Sequence, residues 1–186
     1  MTEFGALMFP TDYAVKPAKL AKAIEEREMD SIFFPEHTHI PASRKTPYPA
    51  GGELPKEYSN TYDPFVALGS CAAVTERIKL GTGICLVVER DVITLAKEIA
   101  TLDRISDGRF ILGIGAGWNA EEMENHGIEF KNRWKIVREK ILAMKELWTK
   151  EEAEFHGDFI NFDPVWSNPK PVQSGGPPVW MGATSK

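Results

Sequence analysis

Short apolar runs alternate with helical segments along almost the whole of this 186-residue chain, and this alternation limits the possible folds. Each run is apolar on both faces, which is typical of a strand buried in a parallel sheet. The pattern predicts an α/β fold, either a doubly wound sheet or an eightfold (β/α)8 barrel of the TIM type. The five predicted strands are residues 4–9, 30–37, 78–87, 108–115 and 179–181.

Helical periodicity fills most of the gaps between these strands. The strongest pattern covers residues 133–150, and Asp63 and Asp91 are placed to cap two other helices. Two stretches between the strands lack this helical periodicity. Residues 38–62 are rich in Pro, Gly and Tyr without a period, which predicts a long functional loop, and residues 154–162 resemble a small hairpin.

Charge and hydropathy exclude two classes of partner. The net charge is −5, so no basic field would attract nucleic acid. No apolar run approaches the roughly 20 residues that cross a bilayer, and no basic region leads an apolar one at the start. We therefore expect no membrane partner and a cytoplasmic location. Cys71 and Cys85 lie in apolar stretches and are expected to be free thiols.

Three alternate glycines, Gly113, Gly115 and Gly117, end the fourth predicted strand. A dinucleotide-binding fingerprint needs the spacing G-x-G-x-x-G at an early βα turn, whereas here the spacing is G-x-G-x-G, late in the chain and followed by Trp118. The glycines either permit close packing of the strand end or leave backbone N–H groups free for a ligand. The second interpretation favours a cofactor pocket.

His37 lies at the C-terminal end of the second predicted strand, in PEHTH. In a barrel this end opens into the mouth where chemistry takes place, so His37 is a candidate acid, base or hydrogen-bond donor. A histidine exposed in a loop is the alternative. His37 and His39 also form an H-x-H pair that a metal-dependent barrel hydrolase could use, although the other strand ends supply no further zinc ligands.

The third predicted strand contains Gly81 and Gly83 in its interior. Interior glycines mark a bulge or a close backbone approach, so the apolar residues that follow could support a flat ring; packing glycines are the alternative.

Several motifs, taken together and in this order, resemble the luciferase-like monooxygenase superfamily. They are PEHTHIP, KLGTGICLV, LAKEIATLDRISDGRFILGIGAGWNAEEM, RWKIVREKILAMKELWT, FHGDFINF and NPKPVQSGGPPVWMGAT, and they cover essentially the whole chain. The resemblance is greatest to the branch of oxidoreductases that use the deazaflavin coenzyme F420.

The resemblance implies a single domain, residues 1–186, that forms the N-terminal part of a TIM-type barrel. It implies an active-site loop at 38–62, an insertion at 150–178 before the fifth strand, and a cofactor at the C-terminal mouth. His37 and Glu36 would approach ring and substrate, and Gly83–Ile84 would be a cis peptide under the ring. The residues implied for the cofactor pocket are Gly83, Ile84, Gly115, Ala116, Gly117 and Trp118, with Gly182, Ala183 and Thr184 beginning a phosphate-binding turn.

The activity implied is transfer of a hydride between reduced coenzyme F420 and an organic small molecule, by a homodimer. Three alternatives remain: an FMN-dependent monooxygenase, a metal-dependent hydrolase, and a truncated subunit without cofactor. Five strands cannot close such a barrel, so we expect either a piece of a longer protein or a short relative completed by dimerisation. Glu121, Glu122 and Glu124 are expected to favour the following helix through its dipole, not to take part in chemistry.

Overall fold

A computed structural model describes residues 2–182. Short 3-10 turns cover Val87–Glu89 and Phe130–Asn132. The other elements, in chain order, are β1 (Gly5–Leu7), α1 (Pro17–Glu26), β2 (Ser31–Phe34), α2 (Glu57–Asn60), α3 (Pro64–Ala72), β3 (Lys79–Thr82), β4 (Cys85–Leu86), α4 (Val92–Ile105), β5 (Phe110–Gly115), α5 (Ala120–Asn125), α6 (Arg133–Thr149), β6 (Ala153–His156), β7 (Asn161–Val165) and β8 (Val179–Met181).

The main sheet is parallel, and its strands follow chain order except that β3 and β4, the two parts of one run, both pair with β5. β1 pairs with β2, β2 with β3, and β3 and β4 pair in turn with the first and last parts of β5. β8 pairs with the middle of β5. A doubly wound sheet reverses its strand order at a switch point, whereas a barrel keeps it sequential. The order therefore selects the barrel-type arrangement, as an open arc within the described residues.

All five predicted strands are present, with one difference in the third. The predicted run 78–87 is divided into β3 and β4 at Gly83–Ile84, where the peptide bond is cis. The cis peptide implied by the family resemblance is therefore confirmed at the expected place.

The core lies between the sheet and the helices that cover its outer side. Leu68 of α3, Leu95 of α4 and Met144 of α6 are fully buried there together with Leu80 and Leu112 of the sheet. Both predicted caps form, because Asp63 accepts the N–H of residue 66 and Asp91 that of residue 94. These caps fix the starts of α3 and α4.

The structure also bears on the cysteines, the hairpin and the length of the helices. Cys71 and Cys85 are buried free thiols, as expected. The predicted hairpin forms as β6 and β7, an antiparallel pair that packs against α6. None of the helices described here has the length and apolar character needed to cross a bilayer.

Gly113 of β5 lies where the backbone of β3 comes close, and its replacement gives a first prediction. An added Cβ at this position would lie 2.0 Å from the backbone oxygen of Thr82. We expect G113A to lower the free energy of unfolding by about 3 kcal/mol, because a backbone atom cannot move aside as a flexible side chain can. Equilibrium unfolding in urea measures this change.

Gly69 provides the matched control. It lies in helix α3 with no atom within 4 Å of an added Cβ. G69A should therefore stabilise the chain by about 0.5–1 kcal/mol through helix propensity. Equal effects of G113A and G69A would contradict the close approach of β3 and β5.

Candidate active site

A cavity of about 270 Å³ opens at the C-terminal ends of the parallel strands. This is the end of a parallel barrel at which active sites form. Most of the residues that line this cavity are apolar or aromatic, among them Leu7, Phe9 and Tyr58. Six of the residues predicted for the site line it, namely Glu36, His37, Gly83, Ile84, Gly117 and Trp118.

His37 is held by a carboxylate from a distant part of the chain. Its Nδ1 lies 2.8 Å from Glu122 Oε2 and 3.0 Å from Oε1, and both side chains are almost completely buried. Because an ionised carboxylate only accepts hydrogen bonds, Nδ1 carries the proton and Nε2 remains available to the cavity. The rings of Tyr58 and Trp118 lie 5.2 and 5.9 Å from the imidazole, centroid to centroid.

The expectation that the acids after Trp118 serve only the helix dipole is wrong for two of them. Glu122 binds His37, and Glu121 accepts the backbone N–H groups of Lys45 and Thr46 at 2.9 and 3.1 Å. The Thr46 side chain and these N–H groups lower the pKa of Glu121 to about 2. α5 therefore holds His37 in place through Glu122 and part of the 38–62 loop through Glu121.

Glu36 lines the cavity, but its carboxylate is occupied by structural partners. It is buried, and its oxygens accept the N–H of Leu86 at 2.7 Å and the Nε of Arg90 at 2.6 Å. Arg90 also pairs with Asp63 and with Glu98. Burial opposes the charge of Arg90, but Glu36 and Asp63 outweigh it and raise the pKa of the guanidinium. Glu36 thus holds the turn after β4.

Ile84 lines the cavity, and the space for its side chain depends on Gly115 and not on Gly182. An added Cβ at Gly115 would lie 1.9 Å from Ile84 Cδ1, and one at Gly182 would lie 3.6 Å from Cγ2. Gly117 has a φ of +74°, a conformation that side chains rarely adopt, and the turn there leads into Trp118. Gly115 therefore acts by making room for Ile84.

Three predicted pocket residues among those that the structure describes, Gly115, Ala116 and Gly182, do not line the cavity. Ala116 is buried in the core with 2% of its surface exposed. Ala183 and Thr184 lie outside the described residues, so the phosphate-binding turn that they would begin remains a prediction. Gly182 donates its N–H to the carbonyl of Ile114 at 3.2 Å.

The 38–62 loop supplies two tyrosines that the sequence did not single out as functional. The hydroxyls of Tyr48 and Tyr58 are 3.1 Å apart, and burial together with this hydrogen bond raises the pKa of Tyr58 to about 12. Both rings contact Trp118 edge-on, and the guanidinium of Arg44 lies 5.6 Å above the Trp118 ring. The rim of the cavity therefore consists of aromatic rings and the charged side chain of Arg44.

The two histidines of the H-x-H pair face different partners. His37 binds Glu122, whereas the ring nitrogens of His39 lie 2.9 Å from Thr38 Oγ1 and from Asn125 Nδ2. Within residues 2–182, no three His, Cys, Asp or Glu side chains are grouped as metal ligands would be. The geometry therefore gives no support to the metal-dependent hydrolase.

Comparison with known proteins identifies the family. A family model described as luciferase-like monooxygenase matches residues 11–186. The chain belongs to this family. As a luciferase-like monooxygenase chain, it is 45% identical over 183 residues to an uncharacterized protein of Mycobacterium tuberculosis, a match that covers 97% of this chain and 64% of that protein.

Other members of the luciferase-like monooxygenase family are more distant. The oxygenase component of the flavin-dependent trigonelline monooxygenase from Acinetobacter baylyi is 36% identical over 123 residues, which cover 65% of this chain and 34% of that protein. The chain thus spans less than two thirds of the length of these curated relatives.

Solved structures confirm the fold of this luciferase-like monooxygenase chain. The monooxygenase RslO1 from Streptomyces bottropensis superposes with a TM-score of 0.81 at 26% identity, covering 97% of this chain and 53% of that one. The coenzyme F420 dependent tetrahydromethanopterin reductase from Methanopyrus kandleri gives 0.77 at 24%, covering 98% and 50%. The barrel-type fold expected from the family resemblance is therefore confirmed.

Proposed function

We propose that this chain carries the active site of an oxidoreductase that transfers a hydride between reduced coenzyme F420 and an organic small molecule. The observation that carries the proposal is the buried pair of His37 and Glu122, whose free Nε2 faces an otherwise apolar and aromatic cavity. Relatives in the family act with flavin, and a reductase with the same fold acts with coenzyme F420.

The residues present fit a flat ring system. Ile84 and Leu86 offer an apolar floor, and the indole of Trp118 and the phenol of Tyr58 stand beside the space above it. When bound, the deazaflavin ring supplies the hydride, while the protein orients the reactants and excludes water. We assign the pocket to Gly83, Ile84, Gly115, Gly117 and Trp118 on this basis.

His37 would act as the general acid in this reaction. A hydride added to an organic substrate leaves negative charge on it, and the Nε2 proton of a histidinium ring can neutralise that charge. Glu122 holds the ring in place and stabilises its charged form through Nδ1, as a buried carboxylate does for a catalytic histidine. Glu36 would keep the turn after β4 in position through Arg90.

The 38–62 loop would select the substrate. Its Tyr48, Tyr58 and Arg44 surround Trp118 at the rim, so a substrate must pass these side chains to reach His37. Residues 150–178 would be an insertion in one domain that covers residues 1–186. The homodimer and the cytoplasmic location belong to the same proposal, and sedimentation of the purified chain tests the dimer.

A binding titration tests the choice of cofactor. We expect the purified chain to bind coenzyme F420 with a change in its visible absorption, and W118A to weaken binding about tenfold because an aromatic contact worth about 1–1.5 kcal/mol is lost. W166A is the matched control, since Trp166 is 77% exposed on the hairpin. Binding of FMN without coenzyme F420 would favour the flavin-dependent monooxygenase instead. Binding of neither ring would contradict the proposal.

A further inference from the structure

Tyr58 lies where the cavity meets the 38–62 loop, on the short helix α2. Its ring lines the cavity beside His37, with 5.2 Å between the ring centroids, and packs against Phe9 at 4.7 Å. Its hydroxyl lies 3.1 Å from that of Tyr48, which is not among the residues that line the cavity. The phenol of Tyr58 is therefore held between the proposed acid and the rim.

The hydroxyls of Tyr48 and Tyr58 contain one proton more than their shared hydrogen bond uses. Each tyrosine hydroxyl has one proton to donate and lone pairs with which to accept. Among residues 2–182, neither hydroxyl has a further hydrogen-bond partner. When Tyr48 donates to Tyr58, the second proton is on Tyr58, the member of the pair that lines the cavity. An acceptor in the cavity selects this arrangement, because it can bind Tyr58 only when Tyr58 donates.

The other polar side chains at the cavity determine which kind of group can bind there. The carboxylate of Glu36 already accepts two N–H groups of the turn after β4. His37 in its protonated form and the hydroxyl of Tyr58 are both donors. A group that only accepts hydrogen bonds, such as a carbonyl oxygen, therefore matches this cavity, whereas a cationic C=N group would meet the positive charges of His37 and Arg44.

We propose that Tyr58, oriented by Tyr48, binds the oxygen of the substrate and makes the site selective for carbonyl compounds with an apolar body. The proposal rests on the function proposed above and names the class of its substrate. An apolar body fits because Leu7, Phe9 and Ile84 line the same cavity.

The reduction of a carbonyl compound at this site balances in atoms and charge. The carbonyl carbon gains a hydride from the reduced coenzyme, which is thereby oxidised. One bond of C=O breaks, its electron pair moves to oxygen, and the oxygen takes the Nε2 proton of His37 to give an alcohol. Tyr58 keeps its proton and donates to the oxygen as negative charge develops there. Burial and the hydrogen bond with Tyr48 raise the pKa of Tyr58 to about 12, which keeps the hydroxyl protonated.

Infrared spectroscopy of a bound ketone tests the hydrogen bond directly and needs no cofactor. The probe is acetophenone labelled with carbon-13 at its carbonyl, added to the purified chain. We expect its C=O band to lie at lower wavenumber when bound than in hexane, because an accepted hydrogen bond weakens the C=O bond. A bound band at the hexane position, or no bound ketone at all, would overturn the proposal.

Substitution tests whether Tyr58 is the donor. Y58F removes the hydroxyl and keeps the ring, so the bound band should return towards its hexane position and the affinity for acetophenone should fall about fivefold to tenfold. The affinity for α-methylstyrene, which has CH2 in place of the oxygen, should not change. Y62F is the matched control, since Tyr62 lies at the end of the same loop, is 42% exposed and does not line the cavity. A Y58F chain with the band and affinity of the wild type would contradict the assignment.

Kinetics with the cofactor separate this proposal from the one on which it rests. With coenzyme F420 and acetophenone, Y58F should lower the single-turnover rate about 10-fold to 100-fold, while the affinity for the coenzyme stays unchanged. If the bound ketone accepts a hydrogen bond from Tyr58 but no hydride is transferred, the result counts against the proposed function alone. Equal single-turnover rates in Y58F and the wild type would overturn the role of Tyr58 alone.

Discussion

H37A is expected to lower the rate of hydride transfer about 10²-fold to 10⁴-fold, the range that a positioned general acid contributes. Cofactor binding should change little, because the floor and wall formed by Ile84 and Trp118 remain. Single-turnover absorbance of the cofactor measures the rate, and a binding titration measures the affinity. An unaltered single-turnover rate in H37A would remove His37 from the chemistry.

H37A also affects stability, and this effect must be separated from the kinetic one. The substitution leaves Glu122 buried with no hydrogen-bond donor in place of His37 Nδ1, which costs about 1–3 kcal/mol. E122Q separates the two effects, because an amide keeps the contact but cannot stabilise a histidinium charge. Because His37 acts as an acid only while its ring is protonated, we expect E122Q to shift the alkaline limb of the pH profile to lower pH. H39A is the matched control, since His39 contacts Thr38 and Asn125 outside the cavity.

R90M is expected to have the largest effect on stability, a loss of about 3–5 kcal/mol. Arg90 is 13% exposed and pairs with Glu36, Asp63 and Glu98, while its guanidinium stacks over the ring of Phe65. Its removal leaves the Glu36 carboxylate, which is 2% exposed, without a counter-ion. Breaking one partner of a buried pair is costly because the other charge stays in the interior. Urea unfolding measures the loss.

Two further variants check the cause of the loss in R90M. Lys79 pairs with Glu3 at the surface, where the two side chains are 42% and 59% exposed, so K79M should cost at most about 1 kcal/mol. The double variant with E36Q and R90M should be more stable than R90M alone, because no unpaired charge remains. If R90M and K79M lower the free energy of unfolding by the same amount, the buried ion pairs of Arg90 do not stabilise the turn after β4.

The parts of the fold that depend on local pattern were predictable from the sequence. Buried strands appear as short continuous apolar runs and helices repeat every 3.6 residues, so the five strands and the caps at Asp63 and Asp91 could be located within a few positions. His37 could be placed at the cavity because the end of a parallel strand determines where its side chain lies. These features need no knowledge of distant contacts.

Contacts between distant parts of the chain could not be predicted in the same way. Glu122 is 85 residues from His37, and nothing in the run of acids after Trp118 indicates which of them faces inward. The family resemblance places Glu36 near the ring and substrate, and Glu36 does line the cavity, but its carboxylate accepts the N–H of Leu86 and the Nε–H of Arg90. The rotation of α5 against the sheet decides which of its acids meets His37, and tertiary packing sets that rotation.

The attachment of the loop to Glu121 also bears on how new specificities arise in such a chain. Glu121 accepts hydrogen bonds from the backbone N–H groups of residues 45 and 46. Every amino acid except proline has such an N–H group. Side chains along 38–62, other than that of Thr46, which also binds Glu121, can therefore change while the backbone of the loop stays attached to α5 and His37 stays in place. Proline at 45 or 46 would remove one of these hydrogen bonds. The catalytic residues can therefore stay the same while the substrate specificity of the loop changes.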